Sequence, residues 1–294
     1  MPELPEVETI RIGLSRLLPG RRIAGVEFNW PKGFPNSESD IRQFLISSKI
    51  VKVARRAKVL LIELDSKYSL VIHLKMTGQL VFRGEQNFGA GHPNDSLIGE
   101  LPDKSTRVIF QFQDGSKLFF NDQRKFGWMR LLPTAEVPNI DFFKYVGPEP
   151  LEASFGWKQL SERLSRRPNS NIKSVLLDQT VIAGIGNIYA DESLWGAKIH
   201  PAALVKNLSP AKVKGLHVAI VEVLKLSIEK GGSTDRNYVD AEGKKGSYLS
   251  FARVFRREGQ ACPRCGYEII KTRVAARGTH FCPNCQKEPA IKAT

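Results

Sequence analysis

Apolar residues recur along this chain in two rhythms. Val7, Ile10, Leu14, Leu17 and Leu18 fall three or four positions apart, with Arg11 and Arg16 off that stripe. That is the period of one helix face, so the spacing predicts an amphipathic helix over about 5–18, ended by Pro19-Gly20. From Arg21 to about Leu132 the rhythm shortens. Residues 59–64, 70–74 and 107–112 are strand-like, and Asp114-Gly115 between Phe112 and Leu118 marks a tight hairpin. Several strands with tight turns predict an all-β sandwich or barrel that carries the first helix. Residues 84–105, rich in Gly, Asn, Asp and Pro, read as a long surface loop. Pro-containing stretches at 131–138 and 147–150 bracket a linker. Beyond it, 155–164, 172–177, 188–195 and 213–229 read as helices of a mainly α domain. Residues 231–247 are Gly-, Ser- and Lys-rich, show no period and read as a loop.

The chain has 294 residues, enough for two domains and a small third. Its 44 basic against 30 acidic residues give a net charge of +14. That surplus points to a polyanionic partner, nucleic acid before an anionic membrane, although a merely basic soluble protein has the same composition. No apolar run approaches the ~20 residues of a membrane span, and the N-terminus lacks a signal-peptide layout. The expectation is a cytoplasmic protein with no membrane partner.

All four cysteines lie near the C-terminus, as Cys262-Pro-Arg-Cys265 and Cys282-Pro-Asn-Cys285. Two such knuckles suit a tetrahedral Zn²⁺, and four protein ligands leave no open position for catalysis. A single structural Zn²⁺ is expected, with 267–281 forming a β-hairpin centred near Gly278. Four thiolates on Zn²⁺ carry a charge of −2, which Arg264, Lys271, Arg273 and Arg277 more than offset. A finger with surplus positive charge fits phosphate contact.

Two other stretches carry candidate chemistry. If Met1 is removed, the chain begins with the secondary amine of Pro2, followed by carboxylates. An α-amino group titrates near ~7.8 and a Lys near ~10.4, so at pH ~7.5 about a third of such amines are neutral against about a thousandth of lysines. A neutral amine is a ready nucleophile, and Glu3 stands beside it as a proton donor. The ordinary reading is that Pro5 and the glutamates are helix-start signals. Gly184-Ile-Gly186-Asn187 opens a helix with bare backbone N–H groups and a side-chain donor, which suits a phosphate; the same turn also occurs in helix packing without a ligand.

Taken together these motifs resemble bacterial formamidopyrimidine-DNA glycosylases, enzymes that excise 8-oxoguanine and have apurinic/apyrimidinic lyase activity. The matching residues are Pro2-Glu-Leu-Pro-Glu-Val-Glu-Thr9, Arg55-Arg-Ala-Lys58, His73-Leu-Lys-Met76-Thr-Gly78, Asn121-Asp-Gln-Arg124-Lys-Phe126-Gly127, Gly184-Ile-Gly-Asn187-Ile-Tyr-Ala190, Gly231-Gly-Ser-Thr234 and the cysteine segment with Arg277-Gly-Thr-His280. They run through essentially the whole chain in family order.

The resemblance implies an α+β multidomain fold. An N-terminal β-sandwich with its helix (1–135) would be followed by a linker (136–150). A helix–two-turn–helix domain with a lesion-recognition loop (151–250), a β-hairpin zinc finger (251–288) and a tail (289–294) would complete it. It implies a monomer that acts on damaged double-stranded DNA, with Pro2 as nucleophile on C1′, Glu3 and Glu6 in the proton network, and Lys58 assisting. Met76, Arg124 and Phe126 would fill the void left by a flipped base. His73, Lys173, Asn187 and Arg277 would contact DNA, and Ser233, Asp235, Arg236, Asn237 and Tyr238 would face the lesion. Asp235 and Asn237 stand where the family more often has an apolar residue and Thr, and Lys125 where a second Arg is common. The sister endonuclease VIII type begins Pro-Glu-Gly-Pro-Glu; Leu4 and the Arg124-Lys-Phe126 segment favour the purine-directed branch.

Overall fold

The computed structural model of the protein describes residues 2–92, 94–233 and 248–287. Its contacts divide the chain into two compact units, Met1–Lys144 with Ile228–Ser247, and Tyr145–Ser227 with Tyr248–Thr294. The first break falls inside the stretch read as a linker.

The first unit opens with helix α1 (Leu4–Leu17). Strands β1 (Ile23–Phe28), β2 (Ile50–Arg56), β3 (Val59–Leu64), β4 (Tyr68–His73), β5 (Gly78–Arg83), β6 (Phe88–Gly91), β7 (Thr106–Phe112), β8 (Lys117–Asp122) and β9 (Trp128–Pro133) follow. They form a five-stranded sheet in the order β1-β7-β8-β5-β6 and a four-stranded sheet in the order β2-β3-β4-β9. Every pairing in both is antiparallel. The stripe Val7, Ile10, Leu14, Leu17 and Leu18 joins one core with Leu60, Ile62 and Ile72 of one sheet and Leu80, Phe110 and Phe120 of the other. The expected sandwich with its helix is the observed fold.

Two stretches depart from the sequence reading, for one shared reason. Residues 84–105 are not simply a surface loop. They supply β6 at the sheet edge and a 3₁₀ turn at Asp95–Leu97, and Phe88, Ala90 and Leu97 are buried. Leu97 packs with Val81 and Phe119, with Leu101 and Ile109 alongside. Residues 134–143 likewise begin as a cover rather than a linker: Val137, Ile140, Phe142 and Phe143 pack on Val59, Leu61 and Val71. Each sheet thus has apolar residues outside the shared core, and the chain folds a segment of short elements over them. Polar, Pro-rich composition disguised both covers.

The second unit contains α2 (Trp157–Ser165), α3 (Ile172–Leu177), α4 (Asn187–Gly196), most of α5 (Pro210–Glu229), a short α6 (Tyr248–Phe251) and a hairpin of β10 (Ile270–Val274) with β11 (Arg277–Phe281). Leu160, Val175, Ile182, Tyr189, Leu194, Leu216, Ile220 and Leu224 belong to its core. From Tyr189 to Trp195 every residue of α4 is buried, charged ones included. Glu192 accounts for one of them. Its carboxylate accepts the N–H groups of Arg253, Val254 and Phe255 at 2.9 Å and the Tyr248 hydroxyl at 3.2 Å. Burial pushes its pKa up and these donors pull it back. The finger hairpin turns at Ala275 and Ala276, not at Gly278. Both alanines take positive φ, at 52° and 58°, as a two-residue hairpin turn of this hand requires. Gly278 pairs with Arg273 inside the ladder.

Gly13 shows how β6 fits against α1. A Cβ at this position would lie 2.2 Å from the Phe88 ring. Gly13→Ala is expected to destabilise the protein by about 1–3 kcal/mol through overpacking, despite a helix-propensity gain of up to ~1 kcal/mol. Adding Phe88→Leu should restore most of the loss. Urea denaturation of the three proteins tests this; a Gly13→Ala protein as stable as its parent would show that the ring can swing aside.

Candidate active site and nucleic-acid interface

The first unit gathers its candidate chemistry around the start of α1. Glu3 is the N-cap residue, joined to Glu6 by a reciprocal capping box. Glu6 Oε2 accepts the Glu3 N–H at 2.8 Å. Its other oxygen, Oε1, accepts the N–H of Ser233 at 2.7 Å. Gly232, at φ +86°, comes so close that a Cβ there would be 3.2 Å from the Glu6 side chain. One carboxylate therefore holds both the chain start and the entry to the expected lesion loop. Pro2, Glu3, Glu6 and Lys58 are all buried. Ser233 is placed by Glu6; Asp235, Arg236, Asn237 and Tyr238 lie outside the described residues.

Lys58 follows Ala57 in the turn between β2 and β3, where Ala57 has φ +53°. Arg55 fixes that turn. Its Nη1 donates to the Ala57 carbonyl at 2.8 Å and its Nε to Glu8 Oε2 at 2.9 Å. Glu8 also accepts from Arg11 at 2.7 Å. Burial pushes the Glu8 carboxyl up, but the two guanidinium groups outweigh it and hold its pKa below the usual range. The Glu8–Arg55 pair thus ties the Lys58 turn to α1. Across the sheet, Val59 pairs with His73. Burial, then the charges of Lys75 and Lys58, lower the His73 pKa to about 3. Its Nδ1 accepts the Lys75 N–H at 3.0 Å, and its ring lies against those of Trp128 and Phe142. His73, expected at the DNA, is therefore a neutral buried imidazole and offers no positive charge to a phosphate.

The expected void-filling residues sit on two turns that a single carboxylate joins. Met76 follows β4, and Arg124 and Phe126 lie between β8 and β9. Met76 is 38% and Phe126 54% exposed, so neither is a core residue. The Arg124 guanidinium lies 4.8 Å from the Phe126 ring centroid. Buried Asp122 accepts the Thr77 hydroxyl, the Gly127 N–H at 2.7 Å and the Arg124 N–H at 3.3 Å. The Arg124 N–H also reaches Thr77 Oγ1 at 3.1 Å.

In the second unit Lys173, Asn187 and Arg277 converge, but not all toward solvent. Lys173 is fully buried. Its Nζ lies 2.7 Å from Asp191 Oδ1 and donates to Thr279 Oγ1 at 2.7 Å and to the Gly278 carbonyl at 3.1 Å. Asn187 Nδ2 donates to the same carbonyl at 3.0 Å. Exposed Arg277 is the preceding residue. In this structure both Lys173 and the Asn187 side chain bond the strand that presents Arg277. An ammonium buried this deeply needs its carboxylate partner, because an unpaired buried charge costs several kcal/mol.

The four cysteine sulfurs lie within 4.8 Å of one another, and none is in a disulfide. Cys262 and Cys285 sulfurs are 4.0 Å apart, and those of Cys265 and Cys282 3.5 Å. A tetrahedral ZnS₄ centre has sulfurs about 3.8 Å apart. The set fits one structural Zn²⁺ held by Cys262, Cys265, Cys282 and Cys285.

Glu8, Asp122 and Asp191 escaped the sequence reading as functional residues. Glu8 and Asp122 stand within quoted motifs, and their spacing to Arg55, Arg124 and Gly127 was the available signal. Asp191 had none, since its partners come from distant segments. Among the described residues no helix is long and apolar enough to cross a membrane.

Three family models match the chain: the formamidopyrimidine-DNA glycosylase N-terminal domain over residues 1–129, the formamidopyrimidine-DNA glycosylase H2TH domain over 146–238, and the zinc finger found in FPG and IleRS over 259–287. The chain is 44% identical over 288 residues to the formamidopyrimidine-DNA glycosylase of Pelotomaculum thermopropionicum, covering 98% of this chain and 99% of the relative. It is 42% identical over 287 residues to that of Chloroflexus aurantiacus, covering 97% and 98%. Among solved structures, a mutant Lactococcus lactis FPG bound to Fapy-dG DNA superposes with TM-score 0.86 at 35% identity, covering 98% of this chain and all of that one. A MutM complex with carbocyclic 8-oxo-G DNA gives 0.84 at 36%, with the same coverage.

The His73 environment sets a pH dependence. Above the unfolded imidazole's pKa near ~6.5 the ring is neutral in both states and adds no cost. As pH falls from there toward about 3, the unfolded chain takes up a proton that the folded ring refuses. Stability therefore falls, by at most ~1.4 kcal/mol per pH unit. His73→Asn removes that contribution, so the stability difference between parent and variant should shift in the variant's favour between about pH 7.5 and about pH 5 in urea denaturation. A difference that stays constant would mean the folded ring protonates freely.

Proposed function

The chain belongs to the formamidopyrimidine-DNA glycosylase family of DNA-repair glycosylases and AP lyases, and on that premise we propose that it excises oxidised purines, 8-oxoguanine and formamidopyrimidines, from duplex DNA through a Schiff base on Pro2. The observation that carries this reading is the capping box at the start of α1, which sets Glu3 and Glu6 beside Pro2. Relatives bound to Fapy-dG and carbocyclic 8-oxo-G DNA support the purine class.

The chemistry follows from an amine with a low proton affinity next to a carboxyl group. With Met1 removed, the Pro2 nitrogen uses its lone pair to attack C1′, and the C1′–base bond breaks with the pair leaving on the base, which takes up the proton that the newly formed Pro2 ammonium releases. Glu3 delivers a proton to the sugar ring oxygen, the ring opens, and an iminium forms between Pro2 and C1′. The cationic nitrogen makes the C2′ proton acidic. Its loss expels the 3′ phosphate, and a second elimination expels the 5′ phosphate. Glu6 fixes the backbone of Glu3 at the step where Glu3 transfers its proton. Lys58, in a turn held by Arg55, assists at the site and contacts phosphate. Four cysteines hold Zn²⁺, which keeps the finger folded.

A target base is stacked, and flipping it out costs a few kcal/mol. Met76 and Phe126, apolar yet exposed, are suited to enter the stack, with Arg124 facing the orphaned cytosine. Arg277 contacts backbone phosphate, and the net charge of +14 gives a salt-dependent grip. A second reading has a specific basis: the wild-type Lactococcus lactis FPG is also described in complex with DNA containing an oxidised pyrimidine.

Borohydride reduction converts an iminium to a stable adduct. With a duplex carrying 8-oxoguanine opposite cytosine, an adduct mapping to Pro2 by mass spectrometry is expected, and Pro2→Gly should suppress base release while leaving duplex binding near normal. Base release by Pro2→Gly at the parent rate would place the nucleophile elsewhere. An adduct with an oxidised pyrimidine alone would overturn the purine assignment.

A further inference from the structure

The four zinc ligands are not in equal surroundings. Cys262 and Cys282 are buried, whereas Cys265 is exposed. The sulfur of Cys282 accepts a backbone N–H from Cys285 at 3.4 Å. That of Cys262 accepts a donor from outside the finger. Trp195, in the last turn of α4, directs its indole Nε1–H at Cys262 Sγ from 3.3 Å. The ring is 7% exposed and packs with Val254, Cys262, Ile269 and Cys282. An indole N–H can only donate, and when buried it needs an acceptor. Here the acceptor is a metal-binding sulfur.

Arginines hold that ring in place. The Arg264 guanidinium lies 3.7 Å from the Trp195 ring centroid, and that of Arg253 5.4 Å. Arg264 also donates through Nη1 to the Trp195 carbonyl at 2.9 Å and through Nη2 to the Gly196 carbonyl at 3.3 Å. These are the last carbonyls of α4, and that of Trp195 also accepts the Lys198 N–H at 3.1 Å. Arg264 stands between Cys262 and Cys265, so the knuckle itself caps the helix that carries the tryptophan. The indole cannot turn away from the sulfur without breaking this stack.

We propose that Trp195 is a positioning residue for the zinc centre, whose N–H bond to the Cys262 thiolate stabilises the bound metal and sets how firmly the finger retains it. Four thiolates leave the centre at −2, and a buried sulfur has little water to share that charge. A fixed N–H dipole takes up part of it, and two guanidinium groups on the indole add a favourable field. Groups that hydrogen-bond metal ligands are commonly worth ~10- to 100-fold in metal affinity.

The test uses the full-length zinc protein and a competing chromophoric chelator. Trp195→Phe keeps an aromatic ring for the arginines to stack on and removes the donor, together with the smaller ring of the indole; the indole nitrogen resonance of the parent separates the two losses. It should hold zinc about 10- to 100-fold more weakly than the parent. Retention within about twofold would overturn the proposal, since packing alone would then account for Trp195. Arg264→Met retains the N–H but frees the ring, and should weaken retention by a smaller factor; a larger effect than Trp195→Phe would overturn the assignment to the indole. A measurement on the parent does not depend on variants folding. In ¹⁵N-labelled protein the indole N–H resonance, identified by its absence in Trp195→Phe, should move when Cd²⁺ replaces Zn²⁺. A resonance indifferent to the metal would show that the N–H does not bond the thiolate.

Discussion

The Glu6 carboxylate is the constraint on which the first unit's chemistry rests. Its two oxygens accept backbone N–H groups from Glu3 and from Ser233, residues far apart in sequence. A carboxylate is suited to this because it is acceptor-only and can serve two donors at once. The same contact closes the first turn of α1, fixes the residue beside Pro2 and brings Gly232 against the helix. Glu8, further along the same helix, draws in the Lys58 turn through Arg55. Acidic residues at the start of this helix therefore do two separate jobs, capping and tethering.

In the second unit a helix plays the corresponding part. α4 meets the finger along its length: Asn187 at the first residue, Asp191 in the middle through Lys173 and the His280 N–H, and the Trp195 and Gly196 carbonyls at the end. Buried charges are expensive, and Asp191 and Glu192 persist because each is surrounded by donors from other segments. Removing one partner would leave the other uncompensated. Lys173 belongs to this framework through Asp191, Thr279 and the Gly278 carbonyl.

Much of this was legible in the residues. The helical stripe from Val7 to Leu18, the alternation of β3, the hairpin at Asp114-Gly115 and the cysteine knuckles all have local causes, and all appear where local rules put them. The covers at 88–101 and 134–143 were not legible, because Leu97 or Phe142 becomes core only against a distant strand. The candidate site divides similarly. Pro2, Glu3 and the cysteines announce themselves by chemistry. Lys173 and His73 carry the right chemistry for phosphate, yet their burial against long-range partners had no signal in the sequence. Ala275-Ala276 occupies a turn where glycine would be the ordinary choice, so Gly278 was a misleading marker.

The contact between Gly13 and Phe88 reaches beyond this one chain. Phe88 belongs to a segment inserted between two strands, while Gly13 belongs to the first helix, which begins with the capping box. A relative with a shorter insertion has no ring to accommodate and is free to place a larger residue on that turn of the helix. The length of a peripheral excursion and the size of one helical side chain should therefore have changed together as the family diverged. That would leave an evolutionary trace linking two positions with no part in catalysis.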